Sequence, residues 1–173
     1  MSSSSTNKQP LLIDRPLHEW VTLGATPALT TATNYSTIVG GGCSPLVDCS
    51  DNDGATIDSL SIVATEAGTT AAVVLFFLSS SPTPFGITAA NTALVASAAI
   101  LSSTAGQRAN VPLPLLTVPV PPLGADPAPG EAAKKNTALM VPAGRLLYVG
   151  LNTAIQAPTP ATRVNVFAQG GYY

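Results

Sequence analysis

The sequence predicts an all-β chain: a single β-sandwich or jelly roll of about seven or eight antiparallel strands, led by an extended N-terminal arm. Three observations carry that prediction. Short runs in which apolar and polar residues alternate recur along the chain, and period two is the strand signal. Gly, Pro and Asn clusters separate the runs and read as turns. The stretch from Val111 to Gly130 holds Pro112, Pro114, Pro119, Pro121, Pro122, Pro127 and Pro129, and no helix runs through such a sequence. At 173 residues the chain is most simply one domain, with 1–16 as the arm and 17–173 as the sandwich.

In chain order, Met1 to Arg15 is Ser-rich and polar except for Leu11, Leu12 and Ile13. It reads either as a frayed terminus or as an arm that orders against a neighbour. Leu17 to Leu23 is the first strand. Trp20, the only tryptophan, is expected to bury at the edge of the core, with His18 on the surface. Thr26 to Tyr35 reads as extended, at an edge.

Gly40 to Gly54 reads as a long loop. Its Asp48, Asp51, Asn52 and Asp53 invite a calcium assignment. With Gly54 as the sixth position of a calcium loop, however, Cys49 falls first and Leu60 twelfth, so both anchors fail. A turn built from Asp, Asn and Gly accounts for the same residues. The two cysteines, Cys43 and Cys49, lie in this loop. They read as unpaired thiols in a reducing cytoplasm, as a short-loop disulfide formed after release, or, least favoured, as metal ligands.

In Ile57 to Thr65, Leu60, Ile62 and Ala64 share a face. Thr69 to Ser79 is apolar on both faces, so it is expected to be a central strand covered on its outer side too. Another subunit is one candidate for that cover. Phe85 to Ile100 reads as a loop or short helical turn followed by a strand. The apolar residues among the later prolines, Leu113, Leu115, Leu116, Val118, Val120 and Leu123, give an extended edge strand or an ordered arm over apolar surface. The chain then closes with two strands around Pro142-Ala143-Gly144-Arg145, a predicted tight reversal. After it Leu147, Val149 and Leu151 alternate with Tyr148 and Gly150. In the last run Val164, Val166 and Ala168 share a face.

Charged residues are 9% of the chain, against about 25% in ordinary domains. The surface must therefore be built from Ser, Thr, Asn and backbone, which is cheap to desolvate and suits a protein held in an assembly. Net charge is −2, and Lys134-Lys135 is the one adjacent basic pair, so neither nucleic acid nor an anionic membrane is an expected partner. The most apolar run, Ala71 to Leu78, is too short to span a bilayer. Met1 is followed by Ser and Thr and not by a basic region and an apolar stretch, so the sequence predicts no secretory signal and synthesis in a cytoplasm. No catalytic motif, cofactor or metal set is expected. One histidine, no G-x-S-x-G and a Gly40-Gly41-Gly42 lacking a phosphate-binding Lys leave enzyme chemistry without a carrier.

The order of elements also carries a resemblance. The alternating strand, the turn near Gly68, the strand Thr69 to Ser79, the Pro-containing segment, Val141-Pro142-Ala143-Gly144 and the close Phe167-Ala168-Gln169-Gly170-Gly171-Tyr172 together resemble small β-sandwich proteins of tailed-bacteriophage virions. The likeness spans Ile57 to Tyr173. This chain departs from the family pattern at Tyr172, where an acidic residue usually follows the double Gly. The resemblance implies a head decoration (cement) protein: a jelly roll, commonly trimeric, that clamps joints between major capsid proteins. It would be made in the host cytoplasm and located in the virion. The residues expected at its interfaces are Leu11, Leu12, Ile13, Leu113, Leu115, Leu116, Val118, Val120, Tyr172 and Tyr173. A tail, baseplate or fibre component that binds a host receptor or glycan is the alternative. A secreted adhesin is third, disfavoured by the missing signal.

Overall fold

Period-two alternation puts one face of each strand in a core, and the backbone groups then pair laterally. The computed structural model shows that outcome and describes residues 15–24, 27–31, 34–38, 40–65, 72–100, 105–113, 138–153 and 164–173. Among the described residues eleven strands form: β1 (Arg15–Leu23), β2 (Leu29–Thr31), β3 (Asn34–Ile38), β4 (Cys43–Asp48), β5 (Gly54–Ala64), β6 (Val73–Ser79), β7 (Thr92–Ala99), β8 (Arg108–Asn110), β9 (Leu139–Pro142), β10 (Leu146–Leu151) and β11 (Val164–Tyr172). Short 3-10 turns at Gly40–Gly42 and Pro84–Gly86 are the only helical pieces among the described residues.

The strands make a β-sandwich of two antiparallel sheets. A five-stranded sheet runs β1-β11-β5-β8, with β9 also on β5. β9 pairs with Gly54–Ile57 and β8 with Ser61–Val63, so the two lie one after the other along β5. The second sheet runs β4-β10-β6-β7, and β2 and β3 form a separate hairpin.

The core between the sheets follows the predicted parity. Leu60, Ile62 and Ala64 of β5 and Val164, Val166 and Ala168 of β11 meet Val74 and Phe76 of β6 and Leu147, Val149 and Leu151 of β10. Each Val, Leu, Ile or Phe side chain among them contributes about 1.5–3 kcal/mol when fully buried. The reversal before β10 also forms as expected. Arg145 N–H donates to Pro142 O at 3.2 Å, and Gly144 takes φ +70°, which a residue with a Cβ rarely adopts.

Both faces of β6 are buried, and the cover on the outer face belongs to the same chain. Leu75 and Phe77 point away from the core into a second cluster with Leu146 and Tyr148. Ala28 and Leu29, at the start of the β2–β3 hairpin, close it together with Ile87 and the partly buried Ile38. The Tyr148 hydroxyl donates to Ser81 O at 2.9 Å, so its polar end is satisfied inside.

Two expectations are corrected. The Gly40–Gly54 stretch is not one loop, because Leu46 and Val47 are apolar enough to bury as part of β4, leaving 49–53 as the connection. Pro45 is exposed on β4, where the strand lies at the sheet edge and proline is tolerated. Trp20 does not bury at the core edge; it is 62% exposed. Leu17 and Leu23 are buried and Val21 packs against the core, so Trp20, of opposite parity, must face outward.

Candidate functional site

The residues expected at interfaces separate into three groups. Leu11, Leu12, Ile13, Leu115, Leu116, Val118 and Val120 lie outside the described residues. Leu113 packs, half-buried, against the chain's own central core. Tyr172 is 5% exposed and belongs to that core. Little of its side chain reaches the surface, at the edge of the cleft beside Arg15 and Glu19. The Arg15 guanidinium lies 4.4 Å from its ring centroid, and its hydroxyl donates to Glu19 Oε1 at 3.3 Å. Burial first, then the Glu19 carboxylate and Cys49, push this phenol up to about 12. Tyr173 pairs its hydroxyl with that of Thr56 and donates its backbone N–H to Gly54 O at 3.0 Å. Both tyrosines therefore fasten the last strand to β1 and β5.

The Gln-Gly-Gly motif has a steric reason in the same place. At the irregularity between Gln169 and Gly170 the strand runs so close to β5 that a Cβ on Gly170 would overlap Thr56 O, at 1.9 Å. Only glycine fits that approach.

Of the three readings of Cys43 and Cys49, the structure shows the first, in that no disulfide joins them. Cys43 opens β4 and sits in the outer cluster; Cys49 follows β4 and sits in the central core. An extended strand of that length separates their Cα atoms by about 20 Å, far beyond the roughly 4.4–6.8 Å a disulfide spans. Burial pushes both thiols up to about 11, helped at Cys49 by Asp48. Neither is a thiolate at neutral pH, so neither is a ready nucleophile or ligand.

The loop after β4 closes as the predicted polar turn. Ser50 N–H donates to Asp48 Oδ1 at 2.8 Å, and the Asn52 amide donates to Asp48 O at 3.2 Å. With Arg15, Glu19, Asp51, Asp53 and Tyr172 it borders an open cleft of about 960 Å³. Among the described residues no group of three or more His, Cys, Asp or Glu is placed to hold a metal ion. His18 is exposed on β1 opposite Gln169.

What sequence reasoning missed is the outer face of the five-stranded sheet. Trp20 on β1 is the register partner of Phe167 on β11, and the two rings stack with centroids 6.4 Å apart and planes 24° apart. The Arg108 guanidinium of β8 reaches over Phe167 at 5.7 Å from its centroid. Thr22 donates to Asn165 Oδ1 at 2.9 Å beside them. The face thus carries an indole, a second ring and a cation across three strands, with the indole largely bare. Such a surface can bury area and stack. The signal was present in the parity of β1, where Leu17, Val21 and Leu23 leave Trp20 on the other side. Comparison of the chain with family models, with curated proteins and with solved structures gave no match in any of the three.

Proposed function

We propose that the chain is a structural virion protein, a capsid decoration protein that binds the major capsid protein lattice as a homo-oligomer. The observation that carries this reading is the bare aromatic face of the five-stranded sheet. Trp20 stands 62% exposed on a rigid strand, stacked on Phe167. Tryptophan and arginine are the residue types most enriched where binding energy concentrates, and one such anchor contributes about 2 kcal/mol or more when a partner dries it. Apolar area buried there adds about 25 cal/mol per Å² before association costs. The low charge of the sequence keeps that desolvation cheap.

The connectivity supports the same reading. Take β1, β4, β5, β6, β7, β9, β10 and β11 in chain order. The first pairs with the last, β4 with β10, β5 with β9, and β6 with β7. We read this nesting as a jelly roll. That architecture is in keeping with a capsid component, although fold by itself never fixes function.

The test is the copy number of the protein in purified particles of the virus whose genome encodes it, by quantitative mass spectrometry against the major capsid protein. A simple ratio at lattice scale is the expected result. A handful of copies would move the protein to the tail, baseplate or fibre, as a receptor or glycan binder. The exposed indole favours that second reading too, since a flat ring is what a sugar face stacks on. Absence from the particle would end both.

A further inference from the structure

Open sheet edges are hazardous, because unpaired N–H and C=O groups template the addition of another strand. Four edges of the two main sheets in this chain are blunted. β1 carries Arg15, Pro16 and Glu19; β4 carries Pro45 and Asp48; β8 is three residues long and includes Arg108; β9 is four residues long and ends in Pro142. β7 differs. Among the described residues it is the outermost strand of its sheet, it is eight residues long, and its sequence TALVASAA contains neither a charge nor a proline.

The hydrogen bonds at its two ends fix which backbone groups are open. Ile100 N–H donates to Ala72 O at 2.8 Å, and Ser80 N–H donates to Asn91 O at 3.2 Å. Antiparallel pairs alternate between bonded and non-bonded. Counting inward from each end, Ala93, Ala96 and Ala98 turn their backbone groups toward β6. Thr92, Leu94, Ser97 and Ala99 turn theirs to the open side. The register shift between Phe76 and Phe77 leaves Val95 as an extra residue, and the open groups continue on both sides of it. Leu94 is also one of the exposed large apolar side chains, at 38%.

We propose that β7 is an interaction edge whose partner is β7 of a second copy, paired antiparallel across a two-fold axis so that the two four-stranded sheets become one. The occupant follows from what the edge offers. It has no charge to attract a charged strand, so its complement is a neutral strand with open backbone groups and small side chains. Ala96, Ser97, Ala98 and Ala99 of a second copy are such a strand, and self-pairing brings no like charges together. The contact is isologous, so it makes pairs and cannot itself close a three-fold ring; a trimer would use a different surface. The inference does not rest on the virion reading.

The experiment is sedimentation velocity of the full chain over a concentration series, with amide hydrogen exchange measured at both ends of it. The wild-type mass is expected to rise from 17.4 kDa to twice that value. The amides of Leu94, Ser97 and Ala99 should become protected only in the pair. Ser97→Pro removes a donor that β6 does not use, so the fold is expected to tolerate it. It should weaken pairing at least about tenfold, with the circular dichroism spectrum unchanged. Ser97→Lys, which blunts the edge by charge, should do the same and stands in if the proline variant does not fold. A chain that stays monomeric at every concentration overturns the proposal. So does association that ignores the folded variant, or protection of these amides already in the monomer, which would mean that the chain's own residues cover the edge.

Discussion

The two sheets carry comparable outer faces and treat them in opposite ways. On the four-stranded sheet, Leu75, Phe77, Leu146 and Tyr148 are sealed by Ala28, Leu29 and Ile87 of the same chain. On the five-stranded sheet, Trp20 and Phe167 stack in the open with Arg108 beside them. Phe77 and Phe167 are thus the same residue type on the outer faces of opposite sheets, one fully buried and one half-buried. A chain that can cover one aromatic face with a hairpin and leaves the other bare is equipped to cover the second with something else. The difference separates residues that hold the fold from residues that are available to a partner.

Four measurements would break or sharpen that comparison. The largest effect is expected at alkaline pH. Cys43 and Tyr148 lie in the sealed cluster, Cys49 and Tyr172 in the core, and burial raises all four. A raised folded value means that the native state holds its proton more tightly than the unfolded chain does. The stabilisation is then complete below the unfolded value and lost as pH rises through the folded one. For the cysteines that window runs from 9.0 to about 11, and for Tyr172 from 10.0 to about 12. Urea midpoints should hold up to about pH 9 and then fall steeply; a flat profile to pH 11.5 or so would place these groups in water.

Phe77→Ala comes next. Removing a fully buried ring should cost about 3–5 kcal/mol in urea unfolding, with Phe167→Ala costing no more than about 1. Equal costs would mean that the two faces are equally important to the fold. Tyr148→Phe leaves Ser81 O without its buried donor, and about 1–3 kcal/mol should be lost. A neutral result would mean that water reaches the cluster. The smallest stability effect belongs to Trp20→Ser, at no more than about 1 kcal/mol, because the indole is largely exposed and gives up chiefly its stacking on Phe167.

Much of this was legible in the sequence, and the misreadings have physical causes. Parity alone placed Leu60, Ile62, Ala64, Val164, Val166 and Ala168, because side chains on a strand have only two directions. The Pro142–Arg145 reversal was legible because proline and glycine restrict and permit backbone angles locally. The double apolar face of β6 was legible as buried, but hydrophobicity does not say by what, and the cover comes from Ala28 and Leu29, far earlier in the chain, together with Ile87 after the strand. Trp20 was misread because residue type was allowed to outweigh parity. β4 was missed because Gly40–Gly42 precede it, Pro45 and Asp48 lie within its six residues, and Asp51 and Asp53 follow, so turn chemistry dominates so short a window. The tight approach of Gly170 to Thr56 depends on a cross-strand irregularity that no local pattern encodes.

The central claim is that the bare face of the five-stranded sheet docks the protein on a capsid. The direct measurement is co-sedimentation of the wild-type chain and of Trp20→Ser with particles stripped of this protein. The wild type should saturate at a simple ratio to the major capsid protein, while the variant, equally folded, should bind at least about tenfold more weakly. Equal binding by the two chains, or no binding by either, would contradict it.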